Sequence, residues 1–162
     1  MMRHLLSIVF VLTLLPSIAV LAADSVDDFA DGAQAYDGGR ITAALDAWWR
    51  AAARGHTGAM TALANVYLYG ERVTRDPSRA VAWYRKAAER GDVTAQLNLG
   101  DLYRRGLGVP KNKIKNYIWL SLAATQGNEW ALATKRKLTE RMSTQEQRQA
   151  EASLHQQKIK IK

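Results

Sequence analysis

The chain repeats itself every 36 residues, and few folds accommodate that. Laying 57–92 over 93–128 puts Ala59 on Ala95, Leu63 on Leu99, Tyr67 on Tyr103, Gly70 on Gly106 and Val73 on Val109. It also puts Trp83 on Trp119, Ala87-Ala88 on Ala123-Ala124, and Gly91 on Gly127. These are small residues, aromatic wedges and glycines, the kinds that two packed helices and their turns require. A fixed period of this length signals stacked helix pairs, because one pair cannot bury its apolar face alone. The expected architecture is all-α: a right-handed superhelical solenoid of antiparallel helix pairs. Repeats are expected at about 26–56, 57–92 and 93–128, with a capping helix pair at 129–157 and a basic tail at 158–162.

Local signals support the helix pairs one by one. Asp37-Gly38-Gly39 makes a turn, and Ala43, Ala44, Ala47, Trp48, Ala51 and Ala52 then form an apolar stripe at helical spacing. Thr57 is the expected N-cap of the next helix, which carries Leu63, Ala64, Tyr67 and Leu68 and stops at Gly70. Asp76-Pro77 opens its partner: Asp caps free N–H groups, and Pro suits the first helical position. Asn112 takes the place of Asp76 one repeat later. In 129–157, Lys135 and Thr139 stand where Leu99 and Tyr103 stood, as expected of a terminal unit that no further repeat covers. Ser143-Thr144-Gln145-Glu146 reads as a capping box. Lys158 to Lys162 is expected to be disordered or to extend the last helix.

The first 23 residues have the layout of a secretory signal peptide. Arg3 and His4 precede an apolar run from Leu5 to Leu21, broken by Pro16 and short for a span of roughly 20 residues. Cleavage is expected after Ala22 or Ala23, which places the mature protein in the periplasm or outside the cell. Membrane contact is then only transient, through the signal. The remaining length suits one domain, 24–157.

The chain carries a net charge of +8 and no cysteine. That excludes a thiol nucleophile, a cysteine metal site and disulfides. From Asp24 to Thr134 there are 14 Lys/Arg against 12 Asp/Glu; from Lys135 onward there are eight against three. The basic C-terminal end therefore offers an attraction for anionic surfaces. No nucleic-acid partner is expected. His56 and His155 lie far apart in sequence, so no metal site is expected. Gly106-x-Gly108 lacks the preceding strand and following Gly-Lys-Ser/Thr of a phosphate loop. No catalytic residue and no cofactor is expected.

These residues resemble the Sel1-like repeat, a relative of the tetratricopeptide repeat with a longer inter-helix loop. The 93–128 unit carries Ala95, Leu99, Gly100, Tyr103, Gly106, Gly108, Val109, Trp119, Ala123, Ala124 and Gly127 of its pattern. The 57–92 unit carries Asp76, Arg79, Ala80 and Tyr84 besides the shared positions, Trp83 among them. Arg72 departs from the pattern where a second loop glycine is usual, and Asn116 and Leu120 where alanine and tyrosine are. The resemblance implies a non-enzymatic adaptor that binds a protein or peptide. It also implies that the first helix of each pair lines a concave face. The expected partner-binding residues are then Gln34, Asn65, Tyr69, Asp101, Arg104 and Arg105. The alternative is a cell-envelope enzyme or ligand-binding protein related to peptidoglycan.

Overall fold

The structure, a computed structural model, describes Asp24 and residues 26–161, with side chains as far as Gln157. The expected signal peptide, 1–23, lies outside the described residues. Among these, every regular element is a helix: α1 (26–37), α2 (Ile41–Ala53), α3 (Thr57–Tyr69), α4 (Pro77–Ala88), α5 (Val93–Arg105), α6 (Lys113–Thr125), α7 (Glu129–Thr139) and α8 (Thr144–Ile161). The all-α repeat expectation is met. The chain divides into two compact units at Ala59 and Met60.

In the first unit, Trp48 of α2 is the wedge. Its indole N–H donates to the Phe29 carbonyl at 3.2 Å, and its ring lies 5.4 Å from that of Tyr36. Ala44, Ala47, Ala51 and Ala52 are buried on the same helix, as their spacing predicts, whereas Ala43, expected on the same stripe, is exposed. Asp28 accepts from both Arg50, at 2.9 Å, and Arg54. Arg50 foremost, with Arg54, holds the Asp28 carboxyl below the usual carboxylate range, against the opposing pull of desolvation.

The period seen in the residues recurs in the backbone. The amides of His56, Asp92 and Asn128 donate to the carbonyls of Ala51, Ala87 and Ala123, each set spaced by 36. The same three residues then cap the following helix. His56 Nδ1 accepts from the Ala59 amide at 3.1 Å, Asp92 from Ala95 at 2.7 Å, and Asn128 from Ala131 at 2.8 Å. The cap of α3 is thus His56 rather than Thr57. The imidazole is held for that role by stacking on Phe29, with ring centroids 4.5 Å apart. Neutral imidazole offers one ring nitrogen as acceptor, so it does the work of an Asp or Asn side chain.

The long loops match as well. After Gly106, at φ +74°, the Asn112 amide donates to the Tyr103 carbonyl; after Gly70, Asp76 does the same to Tyr67. Asp76 and Asn112 then cap α4 and α6 through the amides of Arg79 and Lys115, as expected. Gly108 lies against the Pro77 carbonyl at the start of α4, where a Cβ would not fit. Arg72 occupies the equivalent position without a left-handed backbone, since only glycines have positive φ among the described residues. Gln96 ties three helices together in the core: its amide N–H donates to the Ala88 carbonyl, and its oxygen accepts from Gln126.

The C-terminal pair closes the second unit. Leu120, Ala123 and Ala131 form a buried cluster, with Val93, Leu97, Ala124 and Leu138 against it. Ser143 and Glu146 form the expected capping box. Glu146 also meets Lys113 at 2.9 Å, and Tyr117 donates to Glu151, so α8 is pinned to α6 at both points. Helix α8 continues through Ile161, the helical of the two expectations for the tail.

Candidate functional site

Binding surface on helix pairs comes from residues that the stacking leaves over. Helix geometry puts i, i+3, i+4 and i+7 on one face, so Asn65 and Tyr69 share a face of α3, and Asn98, Asp101 and Arg105 share one of α5. These sets sit at matching repeat positions, since Asn65 and Tyr69 fall on Asp101 and Arg105.

Two of the expected residues meet around a third that the sequence did not single out as a site residue. The buried Tyr84 hydroxyl donates to Asn65. Burial pushes its phenol pKa well up, with Tyr69 beside it adding to the rise and a hydrogen bond to Asn98 opposing it. Tyr84 therefore stays a neutral hydroxyl that donates to Asn65 and accepts from Asn98, orienting both amides. Tyr69 remains 63% exposed at the edge of this polar cluster. A large amphipathic ring fixed next to oriented amides can pack against an apolar side chain while the amides engage a peptide backbone.

On α5, Asp101 gathers both arginines. Arg104 Nε donates to it at 2.9 Å, and Arg105 reaches its other oxygen at 3.3 Å. All three are partly or fully exposed, so the pairs contribute little to stability. They hold two guanidinium groups in place at the end of the face.

Gln34 lies in the first unit. It is exposed and lines a shallow hollow with Asp31, Arg40 and Arg50. Of the residues that sequence reasoning missed, Asn98 had a signal: it precedes Asp101 by three, on the same helical face. Tyr84 did not, because it falls on a core position and its role depends on where its hydroxyl ends. Among the described residues no cluster of three His, Asp or Glu side chains could hold a metal ion.

Residues 57–92 and 93–128 each match the Sel1 repeat. Similar solved structures include a protective antigen of uropathogenic Escherichia coli strains that displays an SLR fold. The two share 28% identity with a TM-score of 0.75 over 85% of this chain and 30% of that one. A Sel1 repeat protein from Oxalobacter formigenes shares 32% identity with a TM-score of 0.61, over 66% of this chain and 44% of that one. The chain thus spans less than half the length of either relative. No curated protein matches it.

Proposed function

We propose that this protein, a Sel1-repeat protein, is a non-enzymatic scaffold that is exported to the cell envelope and binds a partner polypeptide on the first-helix face. Sel1 repeats commonly mediate protein–protein interaction, and their fold is not typically enzymatic. The observation that carries the reading is the exposed Tyr69 beside the oriented Asn65–Tyr84–Asn98 cluster. Asp101, Arg104 and Arg105 extend the surface with fixed charges that would set the register of a bound segment. Export is supported by the apolar run from Leu5 to Leu21 and the small residues that follow it.

The test has two parts. The triple substitution Asn65→Ala, Tyr69→Ala and Asp101→Ala should abolish retention of the partner that wild-type protein retains, with unchanged helicity. Retention equal to wild type would overturn the face assignment. Intact mass of protein from the envelope fraction should correspond to a chain starting at Ala23 or Asp24, and a full-length mass would overturn cleavage.

A further inference from the structure

A second concavity lies away from the first-helix face. The second helices α4 and α6, together with α8, enclose a groove of about 410 Å³. From the chemistry of its walls we infer that it binds an acidic, extended polypeptide segment, one carboxylate of which sits between Arg85 and Lys115 above Tyr103. This rests on reading the protein as a polypeptide binder and adds a second site to it.

The cations are placed and unpaired. Arg85 donates to the Tyr103 hydroxyl at 3.0 Å, and the Lys115 ammonium lies 5.1 Å from the centroid of the same ring. Tyr103 is buried, and its hydroxyl and ring face bring both charges to the same side chain. Among the described residues, no carboxylate lies within ion-pair distance of either cation. The first turn of α6 contains no acidic residue, so the positive end of its dipole adds to the same potential. A carboxylate fits two converging donors of this kind. Glu89, one turn along α4 from Arg85, also lines the groove without pairing to either cation. It disfavours a second negative charge on its side, and so favours one acidic residue over a run of them.

The remaining walls suit a polypeptide. Gln149, Ser153 and Gln156 recur along one stripe of α8 and line the groove. Amide side chains both donate and accept, which matches the alternating N–H and C=O of an extended chain. Ile118 and Trp119 supply an apolar floor for a side chain of that segment. A flat lipid surface would not reach this floor.

The test selects displayed random peptides on the full-length chain. Selected peptides should share an acidic residue flanked by neutral ones. Their binding should weaken about tenfold or more in the Arg85→Gln, Lys115→Gln double variant and weaken with added salt. Both side chains are exposed, so the double variant should melt as wild type does. Independently of any variant, peptide addition to unmodified nitrogen-labelled protein should shift the Trp119 indole N–H resonance. Three outcomes overturn the site: peptides without an acidic residue, no selected peptide, or an unmoved Trp119 signal. If the selected peptides instead depend on Asn65 and Tyr69, this inference fails while the first-helix reading stands. If anionic lipid vesicles bind through Arg85 and Lys115 and no peptide does, the partner class is wrong.

Discussion

The interior repeat 93–128 and the C-terminal pair at 129–161 occupy corresponding places in the fold with different chemistry. In the interior repeat, Leu99 and Tyr103 are buried, and their helix packs between α4 and α6. In the C-terminal pair, their counterparts are Lys135 and Thr139. The Lys135 ammonium lies 5.2 Å from the centroid of the Tyr117 ring, and Thr139 donates to the Lys135 carbonyl. A lysine there covers apolar surface with its stem and keeps its charge in water. The interior repeat is therefore held by apolar burial. The cap is held by a thinner apolar cluster plus discrete polar links: Lys113 to Glu146, Tyr117 to Glu151, and Gln147 to the Thr139 and Met142 carbonyls. At these fixed positions the residue class changes while the helices continue.

This difference can be broken most sharply in the core. Leu99→Ala should cost roughly 2–5 kcal/mol by urea unfolding, because Leu99 is fully buried. Leu138→Ala in the cap should cost about 1 kcal/mol, since Leu138 is only partly buried. Equal costs would mean that the cap is packed like an interior repeat.

A smaller effect is expected at Gly108, where the interior repeat has a device that the cap lacks. Gly108→Ala should lower stability by roughly 1–2 kcal/mol for its left-handed backbone alone, with the contact to Pro77 adding to it. A melting temperature equal to wild type would show that the loop relaxes away from α4.

The smallest effect sharpens the comparison through pH. Lys113, foremost, lowers the Glu146 pKa, so Glu146 keeps its charge in the folded protein at pH values where the unfolded chain has begun to protonate. A carboxyl with a depressed folded pKa stabilises above its unfolded value and loses that contribution as pH falls through the folded one. Protection factors of the amides at the start of α8, taken against the intrinsic exchange rate at each pH, should therefore fall at acid pH. The neutral cap Asn112 should confer no such dependence on α6. Lys113→Met should weaken the acid dependence at α8, and an unchanged profile would contradict the link.

The elements and their order were legible because the constraints are local and repeat. Glycine after α3 and α5, Asp or Asn before α4 and α6, and alanine pairs on α2, α4 and α6 recur at one spacing. The cap of α3 was not legible, since histidine serves as a cap only when a partner such as Phe29 holds its ring and leaves Nδ1 as acceptor. Asn65, Tyr69, Asp101, Arg104 and Arg105 could be assigned to first-helix faces from periodicity. That Tyr84 orients Asn65 could not, because it depends on how far a tyrosine reaches from α4. The α8 groove was hidden for a related reason: the repeat does not encode where the last helix lies.

The most direct measurement is in-cell photocrosslinking from Tyr69 compared with Trp130, followed by mass spectrometry of the envelope fraction. The two side chains are almost equally exposed, at 63% and 61%, but Tyr69 lies on the interior first-helix face and Trp130 on the cap. The account predicts one dominant protein crosslink from Tyr69 and none from Trp130. Equal crosslinking from both, or none from Tyr69 in well-expressed protein, would contradict it.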